Sequence, residues 1–288
     1  MNRAFNVRGV RIGEGSPLVA IAGLCVAESR ELALETAEFF KGVCLRLGLG
    51  YIFKASFDKA NRMSVSAPRG AGFQRGLEIL SEVRDSACVP VLTDIHEASQ
   101  APTVGEVVDV VQVPAFLCRQ TDLLLAAGST GKAVNIKKGQ FLSPWDIVHS
   151  ARKVASTGNE RILLTERGTS FGYGRLVVDM KSFPVMRSFG YPVVFDLTHS
   201  LQLPGAKGES SGGEREFARQ LGRAGVAAGI DAVFIEAHPD PDKALSDAAT
   251  SLCFEEAESI LSELVEIDRM VKAKAPDLQP PRSQPQKA

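Results

Sequence analysis

The sequence predicts an α/β fold, a (β/α)8 TIM barrel with a short N-terminal β-hairpin, and three observations carry the prediction. Short apolar runs rich in β-branched residues alternate with stretches of helical period, the mark of βα units joined into a parallel sheet. Eight such runs occur. No GxGxxG fingerprint follows the first run, which favours a closed barrel over an open doubly wound sheet.

Phe5 to Ile12 alternates weakly and suits a small hairpin across the barrel bottom. The strand candidates then follow as Leu18–Ala22, Tyr51–Ala55, Val89–Asp94, Val108–Val113, Ala133–Lys137, Ile162–Thr165, Pro192–Asp196 and Ala232–Ile235. Each is largely apolar on both faces, as parallel strands covered by helices must be. Ser29 is placed to cap the first helix, whose apolar stripe is Ala33, Ala37, Phe40, Cys44 and Leu47. Pro144, tolerated in a first turn, is expected to open the helix after the fifth strand behind a Ser143 cap. A glycine- and serine-rich loop, Leu203–Gly213, leads to a helix from Glu214, and reads equally as a mobile lid or a plain connection. The last helix shows Ala257, Ile260, Leu261, Leu264 and Val271 on one face. Residues 1–275 are thus expected to form one catalytic domain. The proline-rich stretch 276–288 lacks periodicity and is expected to be a disordered tail.

Composition narrows the class. Among 288 residues, 33 Lys and Arg balance 34 Asp and Glu to a net charge of −1, so no bulk field recruits nucleic acid or an anionic membrane. Any anion must be bound locally. Five scattered cysteines with no CxxC argue against a disulfide framework and for a reducing compartment. Pro17–Ala27 has the length of a signal-peptide core, but a polar, glycine-containing lead precedes it and no A-x-A site follows, so it reads as a buried strand. No run approaches the ~18 apolar residues of a membrane span. A cytoplasmic protein is expected.

In such barrels the chemistry sits at the C-terminal ends of the strands. Cys25 lies just beyond the first strand, His199 beyond the seventh, Glu236 at the end of the eighth and Asp247 in the loop after it. Closure makes those strands neighbours, so a thiolate, an imidazole and two carboxylates converge as ligands for a divalent transition metal. His96 and His238 stay open as alternatives, and His149 falls inside a helix. A second collection is cationic: Lys54, Lys59, Arg62, Lys137 and Arg167, with Asp94 the main acidic exception. Buried cations must be paired or bind something, and phosphate matches both the Arg fork and the Lys point charge. The competing reading has the lysines at the rim, paired with Asp58 or Glu166. Pro114-Ala115-Phe116 offers an apolar wall, with Phe116 equally suited to packing or substrate contact.

At these residues the sequence resembles the 3-deoxy-D-manno-octulosonate 8-phosphate synthases, also called 2-dehydro-3-deoxyphosphooctonate aldolases. The resemblance runs from about Val19 to Lys272 through FKASFDKANR (Phe53–Arg62), TDIHE (Thr93–Glu97), QVPAFLCRQTDLL (Gln112–Leu124), VNIKKGQF (Val134–Phe141), FDLTHSLQLPG (Phe195–Gly205) and EAHPDPDKALSD (Glu236–Asp247). It implies condensation of phosphoenolpyruvate with D-arabinose 5-phosphate, releasing phosphate, on the route to the lipopolysaccharide sugar. By position it implies that Lys54, Lys59, Lys137 and Arg167 hold phosphoenolpyruvate, with Ala115 and Phe116 lining its pocket. Asn61, Arg62, Ser64 and Asp94 would serve the substrates as well, joined by Arg119 from a neighbouring subunit of a homotetramer. Lys54, Lys59, Asn61, Lys137 and His199 are the implied catalytic set. Members with Cys at the position of Cys25 depend on a metal, whereas members with Asn there do not; the mixed S, N and O donors of this chain suit zinc, iron or manganese. Met63 replaces a serine usual in the family and removes a hydroxyl donor. The nearest rival, the 3-deoxy-D-arabino-heptulosonate 7-phosphate synthases acting on erythrose 4-phosphate, typically shows KPRTSP where this chain has Lys59-Ala60-Asn61-Arg62. More distant rivals are a Schiff-base aldolase using Lys137 and a catalytically silent metal- or phosphate-binding protein.

Overall fold

The computed structural model describes residues 4–13, 15–205 and 212–274. A hairpin of β1 (Phe5–Val7) and β2 (Val10–Ile12) comes first. It is followed by β3 (Val19–Val26), α1 (Arg30–Leu47), β4 (Gly50–Ser56), α2 (Phe73–Ser86), β5 (Val91–Asp94), α3 (Ala101–Val107), β6 (Val110–Val113), α4 (Thr121–Ser129), β7 (Ala133–Lys137), α5 (Ile147–Ala155) and β8 (Ile162–Glu166). A second hairpin, β9 (Thr169–Phe171) and β10 (Arg175–Val177), precedes α6 (Ser182–Arg187) and β11 (Val193–Asp196). The short pair β12 (Gln202–Leu203) and β13 (Gly212–Gly213) then leads to α7 (Ala218–Ala227), β14 (Ala232–Glu236) and α8 (Phe254–Ala273). Strands β3 to β8, β11 and β14 pair in parallel and close in the order β11-β14-β3-β4-β5-β6-β7-β8, as the eight-run pattern predicts.

Two apolar layers hold this arrangement. The larger lies between the strands' outward faces and the helices, including Phe40, Phe53, Phe195 and Leu261. The smaller fills the barrel itself with Val19, Ile21, Ile52, Leu92, Val110, Leu163, Val194 and Phe234, and Val7 and Ile12 of the hairpin close it from below. Alternation along each strand produces both layers, since successive side chains point to opposite faces. Toward the strands' C-terminal ends the inward positions turn polar: Ile52 gives way to Lys54 and Ser56, Leu92 to Asp94, Val110 to Gln112, Ala133 to Asn135 and Lys137, and Val194 to Asp196. The barrel therefore has an apolar floor and a polar mouth.

Local signals hold in part. Ser29 Oγ accepts the Leu32 N–H at 3.1 Å, capping α1 as expected. Three expectations are corrected. Cys25 lies inside the first barrel strand, which runs on to Val26 past a register shift between Gly23 and Val26. The helix after β7 starts at Ile147, behind Asp146, so Pro144 belongs to the preceding turn. The helix expected from Glu214 starts at Ala218 after a 3-10 turn, Arg215–Phe217. Strands β5 and β6 also begin two residues late. Val89 is followed by Pro90, which has no N–H to pair, and Val108 spends its N–H on Val104 O as the cap of α3. His149 lies in α5 as expected. Residues 206–211 of the glycine-rich loop and all of 276–288 lie outside the described residues. No helix among the described residues is long and apolar enough to cross a membrane.

Candidate active site

At the mouth, Cys25, His199, Glu236 and Asp247 each offer a ligand atom, and these atoms lie within 4.8 Å of one another. This is the group that the strand-end reading assembled. Cys25 comes from β3, Glu236 ends β14, His199 begins a 3-10 turn after β11, and Asp247 follows β14 with a left-handed φ of 52°. The Cys25 thiol stands 2.9 Å from Ser246 Oγ and 3.1 Å from Asp247 Oδ2. His199 Nδ1 lies 3.0 Å from Asp196 Oδ1, which also accepts the His199 N–H at 3.0 Å. The imidazole is thereby fixed with Nε2 toward Glu236 Oε2 (3.3 Å) and Asp247 Oδ2 (3.5 Å), the carboxylate–histidine arrangement that orients metal-ligating imidazoles. Glu236 Oε2 is buried and accepts no hydrogen bond. An orphaned buried carboxylate oxygen beside a thiol, an imidazole and a second carboxylate fits a divalent cation of intermediate softness. His96 and His238 are not in the group: His96 Nε2 lies 3.3 Å from Asp94 Oδ2, and His238 Nδ1 accepts the Asp240 N–H.

The ionisation pattern follows from these neighbours. Burial pushes the Cys25 thiol up, and the Asp247 and Glu236 carboxylates add to the shift. Burial opposes ionisation of Glu236, but His199, Lys54 and Lys59 outweigh it and bring the pKa down to about 2. Burial likewise opposes the His199 cation, and Asp196 and Glu236 overcome it to raise that pKa.

The cations gather beside this cluster, though not as the sequence suggested. Lys137 looks unpartnered in sequence, yet its Nζ donates to Asp196 Oδ2 at 2.6 Å and stands 3.9 Å over the Phe234 ring. Lys54 is 1% exposed and pairs with Glu236 while donating to Cys25 O at 2.8 Å. A Cβ at Gly23 would stand 2.1 Å from Lys54 O, so only glycine lets β3 pass this close to β4. Lys59 Nζ lies 4.0 Å from Glu236 Oε1. Arg167 donates through Nη2 to Gln202 Oε1 at 2.7 Å, while its Nη1 is buried without a partner. Neither rim alternative holds for these groups: Asp58 pairs with Arg69, and the lysine beside Glu166 is Lys138.

Asp94, also expected here, ends a line of buried side-chain hydrogen bonds that sequence reading missed. Thr165 donates to Asn135 Oδ1 (2.5 Å), Asn135 to Gln112 Oε1 (2.8 Å), Gln112 to Asp94 Oδ1 (3.4 Å), and Ser56 to Asp94 Oδ1 (2.8 Å). Five successive strands thus each contribute one group, and all donors point toward Asp94. Burial would raise its pKa, but His96 and Lys59 hold it well below the usual carboxylate range. The remaining expected residues differ in exposure. Asn61 is exposed, and Arg62 donates to Pro68 O (2.8 Å) and Leu245 O (3.1 Å). Ser64 Oγ meets Ser66 Oγ at 2.9 Å, and Met63 is exposed. Ala115 is buried, Phe116 is 56% exposed and Arg119 is exposed.

Comparison with known proteins agrees with this geometry. Residues 2–273 match the DAHP synthetase I family. The 2-dehydro-3-deoxyphosphooctonate aldolase of Trichlorobacter lovleyi is 56% identical over 272 residues, covering 94% of this chain and all of the relative. Those of Geobacter sp. strain M21 (54%, over 94% of this chain and 99% of the relative) and Desulfotalea psychrophila (51%, over 93% and 95%) are similar. The chain belongs to the DAHP synthetase I family and, within it, to the 2-dehydro-3-deoxyphosphooctonate aldolases.

Proposed function

We propose that the chain condenses phosphoenolpyruvate with D-arabinose 5-phosphate and water, giving 3-deoxy-D-manno-octulosonate 8-phosphate and inorganic phosphate in the cytoplasm. The observation that carries this reading is the buried Nη1 of Arg167, left without a partner at a mouth that also holds Lys54, Lys59 and Lys137. A buried guanidinium with an unused donor calls for an anion. The names of the relatives supply the substrates.

In the reaction, C3 of phosphoenolpyruvate bonds to the aldehyde carbon of the sugar while water adds at C2. The carbonyl oxygen takes up a proton to become a hydroxyl, and the added water loses one. The resulting phosphohemiketal collapses with cleavage of the C–O bond, and phosphate leaves. Lys54, Lys59, Lys137 and Arg167 offset the repulsion between two phosphorylated anions and hold phosphoenolpyruvate in near-attack geometry. Ala115 and Phe116 flank it, while Asn61, Arg62, Ser64 and Asp94 serve the sugar phosphate. His199 keeps Nε2 available because Asp196 occupies Nδ1. A zinc, iron or manganese ion held by Cys25, His199, Glu236 and Asp247 would supply Lewis acidity.

Steady phosphate release from the two substrates tests the reading, and kcat/KM with arabinose 5-phosphate should exceed that with erythrose 4-phosphate by at least about 100-fold. An equal or reversed ratio would move the chain to the heptulosonate branch.

The reading includes a homotetramer in which Arg119 completes a neighbour's site. Phe116, Phe141, Trp145, Phe171 and Tyr173 are all exposed. They follow the adjacent strands β6, β7 and β8, and Ser170 N–H donates to Gln140 O between two of these loops. So many exposed aromatic groups on one side suit an interface. Sedimentation should give a tetramer. A monomer fully active at dilution would contradict a shared site.

A further inference from the structure

The dipeptides Lys137-Lys138 and Glu166-Arg167 stand at the ends of the neighbouring strands β7 and β8, where Lys137 pairs with Thr165 in register. In each, one residue turns inward to the mouth and the other into the barrel wall. The wall members, Lys138 and Glu166, are 0% and 1% exposed. Lys138 Nζ lies 3.4 Å from Glu166 Oε1 and donates to Leu142 O (3.1 Å), Gly139 O (3.3 Å) and Thr169 Oγ1 (3.0 Å). Glu166 Oε1 in turn accepts the N–H groups of Arg167 (2.9 Å) and Gly168 (2.8 Å). Gly168 has a φ of +90°, a backbone conformation that favours glycine, directly before the β9–β10 hairpin. The pair thus ties the loop after β7 to the turn after β8, using groups that never reach the mouth.

We propose that Glu166 is a positioning residue for phosphoenolpyruvate, with Lys138 as its buried partner. Its carboxylate fixes the turn that carries Arg167, so that Arg167 and Lys137 present one preset spacing to the anion. This rests on the reading that Lys137 and Arg167 hold phosphoenolpyruvate. Physical cost supports it. A buried ion pair adds little net stability, because desolvation consumes most of the Coulombic gain. What the carboxylate supplies that an apolar side chain lacks is an acceptor for two buried N–H groups at the turn carrying Arg167.

The test compares two double variants with the wild type by steady-state kinetics in both substrates, with thermal unfolding as the check on folding. Lys138→Met/Glu166→Leu removes both charges and the acceptor. It should raise KM for phosphoenolpyruvate by about tenfold or more, with KM for the sugar phosphate within about twofold. Lys138→Met/Glu166→Gln removes both charges but keeps an amide oxygen for the two N–H groups, and should keep KM for phosphoenolpyruvate within about threefold of wild type. A folded Met/Leu variant with unchanged or equally raised KM values for both substrates overturns the proposal. So does a Met/Gln variant with the full tenfold loss, whether or not the Met/Leu chain folds. A wild-type protein that turns over neither substrate overturns the substrate reading, and the positioning role with it.

Discussion

Removing the divalent metal should abolish phosphate release, and restoring zinc, iron or manganese should bring it back, with metal per chain measured alongside the rate. The donors are mixed S, N and O atoms lying within 4.8 Å of one another, which suits these ions better than magnesium or calcium. Cys25→Ser should weaken metal retention sharply, because a hydroxyl does not deprotonate on coordination as a thiol does. Substituted Co2+ provides a readout independent of turnover: its thiolate absorption should be present in the wild type and lost in the serine variant. Cys25→Asn should keep part of its activity without metal, since an amide can donate to both Ser246 Oγ and Asp247 Oδ2, the atoms now facing Sγ. Full activity of the wild type after verified metal removal would reduce Cys25 to a packed thiol.

Arg167→Ala should cost about 2–4 kcal/mol of transition-state stabilisation, a loss of roughly 30- to 1000-fold in kcat/KM. Its stability should change little, because Nη1 has no protein partner to strand and Nη2 leaves only Gln202. Lys137→Ala should lose a similar factor and destabilise the fold as well. Asp196 is 0% exposed, and breaking a buried ion pair from one side costs about 3–5 kcal/mol. Thermal unfolding separates the two variants: a large drop for Lys137→Ala, a small one for Arg167→Ala. Kinetics like the wild type in either variant would refute the role given to that cation.

That difference also marks how far the sequence could be read. The strands were legible because apolar, β-branched runs recur at barrel spacing, and closure then brought Cys25 beside His199, Glu236 and Asp247. The partner of Lys137 was not legible. Asp196 lies 59 residues away in sequence, in the apolar run Val193–Leu197, and its only local signal is a position three residues before His199. Gln112, Asn135 and Thr165 were missed for a similar reason. Each is a polar residue in a buried strand, and only the cross-strand register turns them into one line of hydrogen bonds ending on Asp94. Asn61 and Ser64 were named through resemblance alone, and Arg62 otherwise only as one of the strand-end cations, since their loop carries no periodic pattern to place them.

The closure that brings β14 beside β3 has a consequence for how the protein acquires its chemistry. Cys25 and Asp247 are separated by 222 residues, and Leu18 N–H is held by Asp268 across 250. Contacts of such range close large loops of chain before any gain offsets their entropy, so they form late in folding. During synthesis the first barrel strand must wait, with one edge unpaired, until nearly the whole chain has emerged. A chain stalled or cut before β14 contains Lys54 and Lys137, yet it lacks Glu236 and Asp247, two members of the four-donor cluster. Assembly of the four-donor cluster therefore reports a completed ring of strands.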